Sequence, residues 1–137
     1  PDGLQNILQT AQEIKESKMI VVFGCGGDRD ATKRPIMGRI AAEFGDTIFV
    51  TSDNPRTENP NQIVKDVEVG VKEGLREGST YEVVVDRKEA IKKAVRSART
   101  GDIVIIAGKG HEDYQILKDR TIHFDDREVA REALKEK

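Results

Sequence analysis

The chain has 137 residues, enough for one domain with a real core, and no stretch reads as a signal peptide or a membrane span. Hydrophobic residues make up 36% and aromatic residues only 4%, so the core must be built from Val, Ile, Leu and Ala. A formal net charge of −2 argues against a nucleic-acid or membrane surface, and the single cysteine, Cys25, excludes a disulfide framework and a thiolate metal cluster.

In chain order, Leu4, Ile7, Leu8, Ala11 and Ile14 recur at helical spacing between Pro1 and Ser17 and predict an amphipathic helix. The run Met19-Ile20-Val21-Val22-Phe23 reads as a strand covered on both faces. A glycine-rich loop follows, Gly24-Cys25-Gly26-Gly27-Asp28-Arg29-Asp30. A helix over 34–44 then has Pro35 in its first turn and Ile36, Met37, Ile40, Ala41 and Phe44 facing inward. Residues 46–50 predict a second strand, cut short by Thr51-Ser52-Asp53-Asn54-Pro55-Arg56, where the Asn-Pro step forces an extended or turn geometry. Asn59 and Pro60 open a helix to about Glu73 with Ile63, Val67 and Val71 inward. A third strand over 81–85 precedes Asp86, which caps a helix whose buried stripe is Ala90, Ile91, Ala94, Val95 and Ala98, with Glu89 completing a capping box. Residues 103–107 form a fourth buried strand running into Gly108-Lys109-Gly110-His111-Glu112. Residues 114–117 and 121–124 suggest a hairpin with an antiparallel edge strand, and Asp125 or Asp126 caps a last helix through Leu134. Strands alternating with helices define one α/β domain over 1–137: an open, mainly parallel sheet with helices on both faces.

The glycine loop is not a dinucleotide fingerprint, because in G-x-G-x-x-G counted from Gly24 the third glycine falls on Arg29. No G-x-x-x-x-G-K-[ST] occurs, so a complete nucleotide-phosphate cradle is missing, and glycines that merely permit tight turns remain an alternative. Three loops after three different strands carry Arg29, Lys33, Arg34, Arg56 and Lys109 beside Asp28, Asp30, Asp53 and Glu112. On one edge of a parallel sheet these charges converge and suit a zwitterionic ligand; the alternative is a solvated charged rim. His111 is a ligand contact or a local hydrogen-bonding group, and His123, between Ile122 and Phe124, reads as structural. Cys25 has no paired histidine and reads as a buried, unreactive thiol. No spacing of His, Cys and carboxylate suggests a metal site, and no nucleophile–base pair makes the chain a self-sufficient enzyme.

The segments Phe23–Asp30, Lys33-Arg34-Pro35, Asp53-Asn54-Pro55-Arg56 and Gly108–Gln115 closely resemble the C-terminal domain of the Mur ligases, in the MurE branch that adds 2,6-diaminopimelate. Val85-Asp86-Arg87 with Ala90-Ile91, and Phe124-Asp125-Asp126-Arg127-Glu128, extend the resemblance over essentially the whole chain. It implies a Rossmann-like amino-acid-binding domain of a cytoplasmic bacterial ligase of peptidoglycan synthesis. The family joins meso-diaminopimelate to UDP-MurNAc-L-Ala-D-Glu with ATP and Mg2+, through an acyl phosphate that the incoming amine attacks. Carried over by motif, Arg29, Asp53, Asn54, Pro55, Arg56, Gly108 and Glu112 match the diaminopimelate contacts, with Arg56 suited to a carboxylate and Glu112 to an ammonium. The family's P-loop, magnesium-site lysine and nucleotide-sugar site lie in N-terminal and central domains expected to be absent here, so the isolated chain is expected to be inactive. A competing reading is a stand-alone α/β module that binds a small zwitterion or anion without catalysis.

Overall fold

The apolar run Met19–Phe23 forms β1, and the computed structural model, which describes residues 2–108, 112 and 114–137, places it inside a four-stranded sheet. Its neighbours are β2 (Thr47–Val50) on one side and β4 (Ile103–Ala107) on the other, with β3 (Thr80–Val83) beyond β2. All pairs are parallel, with Val21 opposite both Ile48 and Ile105. Successive side chains of β1 go to opposite faces, which is why the strand has no polar position. Val21 and Phe23 join Ile48 and Val50 in a core under α1 (Asp2–Ile14), α2 (Lys33–Phe44) and α3 (Pro60–Gly74). Ile20, Val22 and Phe49 join Ala90, Ile91, Val95, Val129 and Ala133 under α4 (Arg87–Ser97) and α5 (Asp126–Glu136). Each fully buried Val or Ile contributes about 1.5–3 kcal/mol relative to exposure, so the two interior strands anchor both layers.

Caps sit where the sequence places them. The Asn59 side chain accepts from the Asn61 amide with Pro60 in the first turn, and Asp86 accepts from the Glu89 amide. Of the two candidates before the last helix it is Asp125 that caps, accepting from the Arg127 amide. Among the described residues no helix is long and apolar enough to cross a membrane.

Ile7, Ile14 and Ile36, expected inward, are exposed at 52%, 69% and 41%. α1 packs against α2 and β4 and buries only the line Leu4, Leu8 and Ala11. α2 is turned so that its backbone, not Ile36, meets α3: a Cβ on Gly38 would collide with the Val67 carbonyl, and one on Gly70 with the Pro35 carbonyl. β4, expected to be buried, is half-buried along its length because it is the sheet edge. The hairpin forms a two-stranded antiparallel sheet of its own, β5 (Tyr114–Ile116) with β6 (Thr121–His123), in place of an edge strand on the main sheet. His123 is on its exposed side, Nε2 lying 2.8 Å from Glu128 Oε2.

The α2–α3 contact leaves no room for a methyl group. Gly70→Ala is expected to lower the melting temperature, since overpacking costs about 1–3 kcal/mol and outweighs the roughly 1 kcal/mol gained in helix propensity. Gly3→Ala, with nothing within 4 Å of the new Cβ, should leave it unchanged or raised. A Gly70→Ala chain that melts like Gly3→Ala would show that the two helices part freely. Cys25 belongs to the same core, its Sγ 3.7 Å from Met37 Sδ, and burial pushes the thiol up to about 11. A raised thiol pKa means the protonated, unreactive form below that pH. At pH 8 the native chain should react with a disulfide reagent about 100-fold more slowly than the unfolded chain. Equal rates would show that the loop opens freely.

Candidate functional site

Because every strand of the main sheet points the same way, the loops after β1, β2 and β4 emerge on one edge. The strand order turns back at β1, with β2 on one side and β4 on the other, and such a switch point leaves a crevice. The three loops line a cleft of about 470 Å³ there, within the range of small-molecule sites.

The first two loops touch backbone to backbone. A Cβ on Gly24 would sit 2.5 Å from the Thr51 carbonyl oxygen, and one on Gly27 would collide with the Pro55 carbonyl. These glycines therefore serve close approach between loops, beyond the tight turns that remained an alternative reading. The Gly27 amide donates to the Asn54 carbonyl at 2.7 Å, and the Asp28 amide to Glu58 Oε1 at 2.7 Å. Asp28, at φ +55°, accepts from Thr57 Oγ1 at 2.6 Å. Two amides of the glycine loop, those of Gly27 and Asp28, are thus occupied by protein oxygens.

Of the residues proposed from sequence, Arg29, Asp53, Asn54, Arg56, Gly108 and Glu112 all line the cleft, together with Asp30 and Lys33. Pro55 does not; it is buried behind the wall, its carbonyl accepting from the Glu58 amide, and it lines a separate groove with Pro60 and Leu117. Lys109 and His111 lie outside the described residues. Asn54 is 2% exposed. Its Oδ1 accepts from the Ile116 amide at 2.9 Å and its Nδ2 donates to Glu112 Oε1 at 3.4 Å, so it ties the turn to the hairpin and props the carboxylate. Tyr114 donates to the other oxygen of Glu112 at 3.3 Å. Arg56, at φ +52°, donates its amide to the Ile116 carbonyl and Nη1 to the carbonyls of Gly27 at 2.9 Å and Asn54 at 3.3 Å. Gly108, at φ +109°, has room only for hydrogen, since a Cβ would stand 2.9 Å from the Gly24 carbonyl oxygen.

Arg34 lines the cleft but is only 3% exposed, and its charge is spent on Glu58 at 2.8 Å and Asp66 at 3.0 Å, with Gly26 O at 3.3 Å. The Arg34 guanidinium in turn holds Glu58 below the usual carboxylate range. Among the described residues the other cations lining the cleft are Arg29, Lys33 and Arg56, together with the carboxylates of Asp53 and Glu112. Asp30 adds a third carboxylate, held low by hydrogen bonds from the Thr32 hydroxyl and amide. Glu58 and Gln115 were not singled out from sequence as organisers of the site. Gln115 is 7% exposed and donates to the Asp53 carbonyl at 2.8 Å and Ser52 Oγ at 3.3 Å. Gln115 ends the Gly108–Gln115 segment that carries the family resemblance and stands as a lone amide between Tyr114 and Ile116, whereas Glu58 has no signal in the sequence. Among the described residues no group of three His, Cys, Asp or Glu could hold a metal ion.

Comparison with known proteins accords with this geometry. Residues 1–110 match the family model described as "Mur ligase, glutamate ligase domain". Two curated relatives carry the name UDP-N-acetylmuramoyl-L-alanyl-D-glutamate--2,6-diaminopimelate ligase. The one from Clostridium botulinum is 56% identical over 136 residues, 99% of this chain and 27% of that protein. The one from Syntrophomonas wolfei is 56% identical over 137 residues, 100% of this chain and 28% of that protein. A solved structure of an enzyme of the same name superposes with a TM-score of 0.89 at 43% identity, covering 99% of this chain and 27% of that one. The chain thus spans little more than a quarter of the length of the relatives it matches. It belongs to the Mur ligase family, through that family's glutamate ligase domain.

Proposed function

We propose that the chain is the amino-acid-binding domain of an ATP-dependent ligase that adds meso-diaminopimelate to UDP-MurNAc-L-Ala-D-Glu in peptidoglycan synthesis in the bacterial cytoplasm. One observation carries the reading: among the described residues, a single cleft is lined by the cations Arg29, Lys33 and Arg56 and by the carboxylates Asp30, Asp53 and Glu112. Diaminopimelate bears an ammonium and a carboxylate at each end, so a site for it needs both signs at fixed separation. Arg56 and Arg29 supply donors for carboxylates, and Asp53 and Glu112 accept from ammonium groups. Relatives named for diaminopimelate, at 56% identity over the whole chain, support the same ligand.

The described residues form no complete site for ATP or Mg2+. The sequence has no P-loop, two amides of the glycine loop are bonded to protein oxygens, and the described residues hold no metal-binding cluster. In this reading those groups, and the UDP-MurNAc-dipeptide, are held by N-terminal and central domains of the longer ligase. The residues of this chain bind and orient the amino acid.

The isolated chain is expected to bind diaminopimelate weakly, in the millimolar range, because its loops face solvent that a second domain would exclude. Titration followed by amide chemical shifts should move residues in 26–34 and 53–56, with Gly108 and Glu112. Shifts centred elsewhere, or steady ligation by the chain alone with ATP, Mg2+ and the UDP-dipeptide, would contradict the assignment. A stand-alone binding module predicts tight binding of some zwitterion without any second domain.

Selectivity rests on Arg56. Lysine lacks the far carboxylate of diaminopimelate, so only a group that rewards that charge can discriminate. A hydrogen bond to a charged group is worth roughly 1.5–3 kcal/mol, on the order of tenfold to over a hundredfold in discrimination. In the ligase containing this domain, Arg56→Ala should lower kcat/KM for diaminopimelate far more than for lysine, and Arg56→Lys should recover only part. Nη1 also holds the Gly27 and Asn54 carbonyls, so some loss for both amino acids is expected. An equal loss for the two would reduce Arg56 to a brace of the loop.

A further inference from the structure

Val85-Asp86-Arg87 and Phe124-Asp125-Asp126-Arg127-Glu128 carry part of the family resemblance yet line no part of the cleft. Asp86 and Asp125 cap helices; Arg87 and Asp126 have no task in the account above. The Arg87 side chain is fully buried and that of Asp126 is 10% exposed. Their pairing is two-pronged, Nε to Oδ1 at 2.8 Å and Nη2 to Oδ2 at 2.7 Å. Two further donors go to carbonyls, Nη1 to Ser52 at 3.0 Å and Nη2 to Ala107 at 3.1 Å.

Those carbonyls belong to the residues immediately before Asp53 and Gly108, where two cleft loops begin. β2 and β4 are not neighbours; β1 lies between them, so they stand two strand spacings apart, about 10 Å. No ladder bond can connect them. The guanidinium reaches over the end of β1 and bonds to both, while the Asp126 carboxylate fixes its plane from α5. Farther out the same loops meet again where Asn54 Nδ2 donates to Glu112 Oε1. We infer that Arg87, oriented by Asp126, is a positioning residue that sets the separation between the Asp53–Arg56 turn and the side of the cleft lined by Gly108 and Glu112. The inference deepens the amino-acid-binding reading and rests on it for the ligand. Arginine is required because its planar fork serves a carboxylate and two diverging carbonyls at once, which an ammonium cannot. A ligand gripped at both ends is sensitive to that separation.

The test uses the 137-residue chain in three forms: wild type, Arg87→Lys, and the double variant Arg87→Met with Asp126→Leu. The double change removes both charges and refills the volume, a replacement that commonly preserves the fold; Arg87→Lys decides the matter if it does not. Without ligand, the Arg56 and Ile116 amides, which close the turn against the hairpin, should exchange on the order of tenfold faster in the variants. The Gly108 and Glu112 amide shifts should move, while exchange at Val22 and Phe49 stays as in wild type. With meso-diaminopimelate, affinity should fall roughly fivefold or more. A purely stabilising pair predicts otherwise: the refilled double variant would exchange and bind like wild type, and that result overturns the proposal. Faster exchange with unchanged affinity overturns it too, since the loops would then be held but not placed for the ligand. A wild-type chain that shows no shift with diaminopimelate would refute the binding reading instead, and the clamp would then stand or fall on the ligand-free exchange.

Discussion

Three loops share one small space because nothing but hydrogen separates their backbones. Gly24 lies against the Thr51 carbonyl, Gly27 against that of Pro55, and Gly108 against that of Gly24 itself. Side chains at these points would wedge the loops apart and widen the cleft. With the backbones in contact, Arg29, Arg56, Asp53 and Glu112 all reach one cleft of about 470 Å³. At such distances charged groups act on a ligand through partly protein-lined space, where each interaction is stronger than in bulk water. The glycines thus govern electrostatics through sterics.

Charge is divided by depth. The buried arginines, Arg34 and Arg87, are each matched to carboxylates and carbonyls within the protein. Removing a partner from a buried pair strands a charge and is strongly destabilising, which makes these pairs poor candidates for ligand binding and good ones for holding loops. The cations left to meet an anion are those nearer solvent. The same division separates this cleft from a nucleotide-phosphate loop: a glycine-rich turn follows β1 in both, but here the Gly27 and Asp28 amides serve Asn54 and Glu58. A glycine-rich sequence after a strand therefore does not by itself mean an anion cradle.

The hairpin β5–β6 finds its place through the cleft as well. Its Ile116 amide and carbonyl bond to the Asn54 side chain and the Arg56 amide, and Gln115 bonds to Ser52 and Asp53. The backbone groups that an edge strand would offer to the main sheet are used to fasten the 53–56 turn. Antiparallel structure here is part of the site's wall.

Local pattern determined the α/β class, the parallel interior and the caps at Asn59 and Asp86, and narrowed the last cap to Asp125 or Asp126, because apolar alternation, helical stripes and capping chemistry are local properties of the chain. It also placed charged loops at strand ends, and parallel strands then required Arg29, Asp53, Arg56 and Glu112 to share an edge. What local pattern could not express was contact between distant segments. Ile36 looks inward by spacing, but the Gly38 and Gly70 contact between α2 and α3 turns it out. Residues 103–107 look like an interior strand, but strand order, which depends on the whole chain, puts them at the edge. Arg34 and Arg87 look like any surface cation after a cap or loop. Their burial follows only once carboxylates 24 to 39 residues away are brought against them, because a charge can be buried only where folding supplies its partner.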